Sequence, residues 1–251
     1  TKMTNAEKAK HLFSLPVIVA ALGYFVDIYD LLLFGIVRLP SLESMGLDVD
    51  TYGTMILNWE KTGLLIGGIL WGVFGDKKGR LSVLFGSILV YSLANIACGL
   101  LPSVEFMDKA SAYALFRFIA GIGLAGELGA GITLVSESLP KELRAIGTSL
   151  VAGFGLFGAV VANFTVELAS DWTISYFIGG GLGLMLLLLR VGVLESGIYK
   201  DIQQDASVKK GNFLSFFTNW DRFVRYIKCI AIGIPTWFCI GILAVLGNQF
   251  G

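Results

Sequence analysis

Apolar residues run along the chain in seven long blocks: Phe13–Val37, Thr51–Phe74, Leu81–Leu101, Ser111–Leu134, Ile146–Leu168, Trp172–Leu194 and Cys229–Gly247. Each falls near the ~17–25 residues that let a helix cross a hydrocarbon core of ~30 Å. The pattern predicts an all-α, polytopic membrane protein. Six blocks crowd into residues 1–194 as an N-terminal transmembrane bundle, and a polar, mixed-charge stretch over 195–228 follows as a central loop. Residues 229–251 hold a seventh transmembrane helix, read as the start of a C-terminal half that lies beyond this chain. Within the central loop, Phe213-Leu214-Ser215-Phe216-Phe217 and Trp220 fit either an amphipathic segment on the membrane surface or a plain linker.

Composition agrees with many packed spans. The chain is 55% hydrophobic and only 15% charged, against about 25% charged in soluble domains. Its mean hydropathy is +0.75. The 32 glycines are about twice the usual share, which suits helices packed at close range. Lys and Arg counted by loop set the orientation. Fifteen of the nineteen, Arg190 among them, fall at the N-terminus or in even-numbered loops, and two, Arg38 and Lys109, in odd-numbered loops. Lys61 and Arg117 lie inside spans. The count places the N-terminus in the cytoplasm of a multi-pass protein of the cell membrane. Cys98, Cys229 and Cys239 sit in apolar runs without a close-spaced pair, so no metal or redox motif arises, and no cofactor is implied. His11, the one histidine, precedes the first span and reads as a surface residue.

Charges inside the spans change the picture. Asp27 and Asp30 are three apart in the first span and share a helix face. Glu60 and Lys61 interrupt the second span, and Arg117 and Glu127 the fourth. Left facing lipid, six such charges would cost on the order of 15–20 kcal/mol, so they are expected to line a shared polar cavity. Helix rise of ~1.5 Å per residue, with Phe25 as the middle of the first span, puts Asp30 ~7–8 Å toward the outside and Asp27 ~3 Å. The fourth span runs the opposite way; with Ile122 at its middle, Arg117 also lies ~7–8 Å outside centre and Glu127 about as far inside. Arg117 and Asp30 are therefore expected at matching depth. Lys61 either lines the cavity or reaches up to the outer surface. Four acids against two bases leave two negative charges without a counter-ion, which favours a proton on at least one acid. A protonatable acid beside a fixed arginine suits proton coupling; a static ion pair is the alternative. Tyr24, Asn58, Glu60, Lys61, Asn163 and Trp237 complete the candidate cavity lining.

Gly121–Gly126 and Gly153–Gly158 both spell G-x-G-x-x-G. That fingerprint needs a preceding strand and a soluble βαβ unit, and here both lie within predicted membrane helices, so helix packing explains them. Pro235 predicts a kink in the seventh span.

Gly72-Val73-Phe74-Gly75-Asp76-Lys77-Lys78-Gly79-Arg80, between the second and third spans, resembles the signature loop of the major facilitator superfamily, with Leu81 where a second basic residue is usual. Arg117 through Gly126, then Glu137-x-x-Pro140-x-x-x-Arg144, resembles the fourth span and following loop of its symporters. Arg190 with Glu195-Ser196 resembles the end of the sixth span, and Asp27-x-x-Asp30 the first span of proton-coupled organic-acid and phosphate symporters. The resemblance implies two six-helix halves, each of inverted three-helix repeats, with substrate bound between them. It assigns proton coupling to Asp30 and Arg117, with Asp27 and Glu127 as further candidates. It assigns a cytoplasmic gating network to Gly72, Asp76, Gly79, Arg80, Glu137, Arg144, Arg190 and Glu195. The glycine-proline pair of antiporters has no counterpart in Val151–Asn163, which lacks proline and so favours symport.

The expected function is alternating-access symport of protons with a small, anionic metabolite of carboxylate or phosphate type. A sugar or polyol proton symporter or facilitator is the alternative, and a seven-helix receptor a remote one. The expected partners are the substrate, protons, the lipid bilayer and the remaining six-helix half, in a monomer, with no role for nucleic acid. A retinal protein would need a lysine in the middle of the seventh helix, and 229–251 has none. Nothing in the chain forms a nucleophile–base or metal constellation, so the reading is a transporter and not an enzyme.

Overall fold

Polar caps and glycines divide the apolar blocks into helices. The computed structural model describes residues 4–195 and 215–244, which hold nine α-helices and no strand. These fall in two compact units, Thr1–Val208 and Lys209–Gly251. The first unit holds α1 (Asn5–Leu12), α2 (Leu15–Ser44), α3 (Val49–Lys78), α4 (Arg80–Gly99), α5 (Lys109–Ser138), α6 (Arg144–Leu168) and α7 (Trp172–Glu195). A capping box between Thr4 and Glu7 opens α1. Asp48 and Asp108 cap α3 and α5 by accepting from the backbone N–H of Thr51 at 2.8 Å and Ser111 at 3.1 Å. Between α3 and α4 the chain reverses on Gly79 alone, at φ 95° and ψ 154°, a conformation open in practice only to glycine.

Five helices are long and apolar enough to cross a membrane by length and composition: Leu15–Ser44, Ser82–Gly99, Arg144–Leu168, Trp172–Gly192 and Trp220–Leu243. The other two long helices, α3 and α5, are 30 residues each and carry Glu60, Lys61, Arg117 and Glu127. Helix α2 also outruns its expected end at Val37, continuing through Pro40 to Ser44. Arg38 is thereby inside a helix and buried, not in a loop. The hydroxyls of Ser41 and Ser44 bond back to the carbonyls of Arg38 and Ser41 through this last stretch.

Helix α2 packs most extensively on α6, α5 on α3, and α4 on both α5 and α7. Exchanging α2, α3 and α4 for α5, α6 and α7 turns the first of these pairs into the second. Short connections reverse each successive helix, so α5 runs opposite to α2, as an inverted repeat requires. No side-chain pattern in the sequence displays this symmetry; the packing does. Both equivalent pairs meet backbone to backbone. A Cβ on Gly63 of α3 would strike the Phe118 carbonyl of α5, and one on Gly121 would strike the Glu60 carbonyl. Gly158 of α6 stands the same way against the Phe25 carbonyl of α2. Tyr29 then ties three helices together, its hydroxyl donating to the Ser175 carbonyl at 2.8 Å and lying 3.0 Å from the Thr165 hydroxyl.

The second unit starts earlier than the apolar pattern suggests. After the single turn α8 (Ser215–Thr218), α9 runs Trp220–Phe238, beginning inside the stretch expected to be loop up to 228. Asn219 caps it by accepting from the N–H groups of Asp221 and Arg222 at 3.0 and 3.3 Å. Arg222, Arg225 and Lys228 therefore ride on the first turns of the helix, where long basic side chains reach toward water from an apolar stem. Of the aromatic stretch considered for a surface segment, Phe213 and Leu214 lie outside the described residues, while Phe217 and Trp220 both pack on Phe223. Past Pro235 the register loosens into a π-helical turn, Cys239–Ala244.

The seam between α3 and α5 gives a direct test. Gly63→Val should lower stability by about 1–3 kcal/mol through overpacking, whereas Gly68→Val, five residues on and in open space, should not. Thermal unfolding of the detergent-solubilised protein separates the two; equal melting temperatures would mean that the seam is not close-packed.

Candidate functional site

One arginine organises the centre of the first unit. Arg117 of α5 is fully buried, and its five N–H groups match five hydrogen bonds. Its Nε and Nη2 donate to Glu60 Oε2 of α3 at 3.0 and 2.8 Å. Its Nη1 donates to Asp30 Oδ1 of α2 at 3.2 Å and to Asn95 Oδ1 of α4 at 3.0 Å, and Nη2 reaches the Asp30 carbonyl at 3.4 Å. The rings of Phe34 and Tyr176 lie 5.9 and 5.7 Å from the guanidinium carbon, adding cation–π attraction. Glu60 spends its second oxygen on Lys61, whose Nζ donates at 3.2 Å. Asp30 keeps one oxygen, Oδ2, without a partner among the described residues.

Aromatic residues close this cluster on the Ser44 side of the bundle. Tyr176 and Tyr113 share a hydrogen bond of 2.7 Å, and Tyr113 shares another with Ser41 at 3.2 Å. Trp172 stacks on Tyr113 and donates from Nε1 to Ser44 Oγ at 2.9 Å. Excluding water from around Arg117 strengthens each of its ion pairs, since Coulomb energy rises as the effective dielectric falls.

A second charged group lies nearer the end of the bundle where α2 begins. Glu127 of α5 forms a two-pronged ion pair with Arg190 of α7, which includes a 2.7 Å bond from Nη1 to Oε2 and a second from Nη2 to Oε1. Asp27 of α2 is equally buried, and neither of its oxygens has a partner among the described residues.

The candidate residues thus divide between two clusters. Asp30, Glu60, Lys61 and Arg117 come together in one; Glu127 stands in the other, with Asp27 unpaired. The expected pairing of Asp30 with Arg117 across α2 and α5 is present at 3.2 Å. Arg190 departs from its expected place in the gating network: it is 5% exposed and turned into the bundle, because the length of its side chain lets it reach Glu127. The tally of four acids against two bases consequently becomes four against three. With Arg117 and Lys61 on Asp30 and Glu60, and Arg190 on Glu127, the one uncompensated charge falls on Asp27.

The remaining candidates do not join either cluster. Tyr24 is half-buried and packs on Gly155. Asn58 is exposed, and exposed Asn163 donates to Glu167 at 2.8 Å on its own helix, so neither reaches Arg117. Trp237 belongs to the second unit, half-exposed on α9. Of the gating candidates, Gly72 and Asp76 lie on the exposed last turns of α3 and Gly79 forms the reversal. Arg144 donates from Nε to the Leu139 carbonyl at 3.1 Å, capping the end of α5. The side chains of Arg80, Glu137 and Glu195 lie outside the described residues. Asn95, a lone amide in the middle of an apolar span, escapes a charge-based reading of the site, and Arg38, which the count put in a loop, is buried with Nε and Nη1 unpartnered among the described residues, facing Asp50 across the α2–α3 turn. A polar residue in mid-span is the signal that would have found Asn95.

A multi-pass helical membrane bundle of interlocked inverted repeats, with ionisable groups buried at its centre, is the architecture of transporter halves. The family model of the Major Facilitator Superfamily matches residues 19–251, and the chain belongs to that superfamily. It is 30% identical over 249 residues to the sialic acid transporter NanX of Escherichia coli, covering 96% of this chain and 58% of NanX. It is 29% identical over 191 residues to the benzoate transport protein of Acinetobacter baylyi, covering 72% of this chain and 39% of that protein. The niacin transporter NiaP of the same organism is 30% identical over 165 residues, covering 64% and 36%. The inward-open xylose transporter XylE of E. coli shares the fold at a TM-score of 0.63 and 17% identity, covering 89% of this chain and 56% of that one. The chain thus spans about half the length, or less, of the relatives it matches.

The cluster around Arg117 predicts its own energetics. Arg117→Met strands two buried carboxylates and should cost about 3–5 kcal/mol of stability. Adding Asp30→Asn and Glu60→Gln should recover part of that loss in a thermal-unfolding series. No recovery in the triple variant would mean that the arginine contributes packing alone.

Proposed function

We propose that this chain forms one half, and the start of a second, of a proton-coupled symporter for a small carboxylate-bearing metabolite, with its N-terminus in the cytoplasm. The observation that carries the reading is Asp30: a buried carboxylate held by one bond to a saturated arginine, with its second oxygen unpartnered among the described residues. Such a group has two nearly balanced options. Ionised, it keeps Arg117; protonated, it can release Arg117 to Glu60 and Asn95, which already hold three of its five donors. Coupling follows if the two options favour different packings of the bundle, because a ligand shifts a conformational equilibrium only through its differential affinity for the two states. Here the proton is that ligand.

Substrate recognition falls to a different cation. Arg117 has no N–H left for an anion, which argues against its role as the substrate's counter-ion. Lys61 has one of three donors on Glu60 and a side chain 34% exposed, so it can offer charge to a bound carboxylate. Sialic acid, benzoate and niacin, the molecules in the relatives' names, all carry a carboxyl group, which supports an anionic substrate. The positive-inside count supports the orientation, and improves once the two buried arginines, Arg190 and Arg38, are taken out of the loops.

Two measurements on the complete transporter in proteoliposomes test this. Asp30→Asn should lose uphill, pH-gradient-driven uptake by tenfold or more while retaining counterflow exchange; undiminished accumulation would end the assignment. In a panel of sialic acid, benzoate, nicotinate and xylose, Lys61→Gln should raise the KM of the transported acid roughly 10–100-fold, the worth of one charge-assisted hydrogen bond. Transport of xylose alone would instead favour a sugar symporter.

A further inference from the structure

The ion pair of α5 and α7 packs against α2 at one residue. A Cβ on Gly23 would strike both Arg190 Nη2 and Glu127 Oε1, so only the absence of a side chain there lets the pair lie on the helix. Asp27 is the next residue of the same face, one turn along and about 6 Å away on the helix axis. It is 1% exposed, and both its oxygens lack a partner among the described residues. Among the described residues Arg190 also has an unused donor, Nε, and the Tyr91 hydroxyl of α4 is unpartnered as well. Buried polar groups are nearly always satisfied, so four orphaned atoms around one ion pair mark a site with a second arrangement.

The surroundings of Asp27 limit what that arrangement can be. Glu127 comes from α5, Arg190 from α7 and Tyr91 from α4, while Tyr24 and Asp30 share its helix. The buried acid of α3, Glu60, is engaged by Arg117 and Lys61. The acid of α6, Glu167, is exposed and bonded to Asn163. Two carboxylates therefore share one guanidinium, and the group is electroneutral only when it also holds one proton.

We infer that Arg190 is a shared counter-ion that passes between Glu127 and Asp27 while one proton passes the other way. In the arrangement seen here the proton sits on Asp27 and Arg190 on Glu127. When the guanidinium turns along α2 to Asp27, the O–H bond of Asp27 breaks and a new O–H bond forms on the Glu127 oxygen it vacates. Charge and atoms balance: one neutral acid and one ion pair stand on each side of the exchange. The inference rests on the proton-symporter reading and deepens it. It places a second proton station between Asp30 and the end of the bundle where α2 begins, and gives Arg190 the role of positioning residue.

A double-mutant cycle on the complete, detergent-solubilised transporter tests the sharing without needing transport. Glu127→Gln leaves Asp27 free to take Arg190, and Asp27→Asn leaves Glu127 in place, so each single change should shift the melting temperature little. The double change strands Arg190 and should lower it by much more than the sum. An additive double variant, or a Glu127→Gln variant already as unstable as the double, overturns the inference. In proteoliposomes, counterflow exchange should lose one pH-dependent limb in Asp27→Asn and in Glu127→Gln alike; a profile unchanged from wild type in either variant also overturns it. Failure of the wider proton-coupling reading would show separately, as undiminished gradient-driven uptake in Asp30→Asn.

Discussion

Burying a guanidinium at the centre of a membrane bundle is costly unless its donors are met, and the first unit is arranged around meeting all five of Arg117's. Arg117 draws a carboxylate from α2, another from α3 and an amide from α4 to a single point on α5. Four of the six long helices of this unit are thus held in register by one side chain. The aromatic roof of Tyr113, Tyr176 and Trp172 belongs to the same requirement, since a water-filled approach would weaken the pairs beneath it. Saturation also has a functional side. A cation with no free donor cannot serve as a binding group, and this is why the proposed function gives the substrate to Lys61 and not to Arg117.

The two buried clusters differ in their arithmetic. Around Arg117 the charges cancel, two against two, and the slack among the described residues is one oxygen of Asp30 and the Nδ2 of Asn95. Around Arg190 they do not cancel without a proton, and the slack is spread over Asp27, Tyr91 and the arginine itself. A balanced cluster fixes structure, while an unbalanced one has alternatives of similar energy. The chain places one of each along α2, one helical turn apart, so both clusters bear on a single helix.

Much of this was legible in the sequence, because membrane helices obey a strict geometry. A fixed rise per residue and an alternating direction were enough to bring Asp30 and Arg117 to one depth, and four separate motifs pointed to the superfamily that residues 19–251 match. What escaped were features set by side-chain reach and not by backbone position. Arg190 sits close to a helix end, where arginines usually turn outward to water, and only the facing Glu127 draws it inward. Arg38 follows a block that ends in apolar residues and precedes a proline, which reads as a loop; the serines behind it keep the helix going. Asn95 carries no charge and so entered no tally. The start of α9 was missed because its first turns are basic, although Asn219 is a plain capping signal.

The glycine seams between α3 and α5 and between α2 and α6 carry a mechanical meaning. Where two helices touch through bare backbone, no side-chain knobs interlock, so contact resists separation but offers little resistance to rolling. Each pair then behaves as a two-stranded strut, bare at these glycines and flanked by side-chain contacts such as Tyr24 on Gly155 and Trp71 Nε1 on the Ile122 carbonyl. The Arg117–Asp30 pair crosses from one strut to the other, and the Arg190–Glu127 pair ties α7 to the α3–α5 strut; both act as pins. Under the proposed proton coupling, releasing such a pin would free the two helix pairs to roll at their bare-backbone contacts.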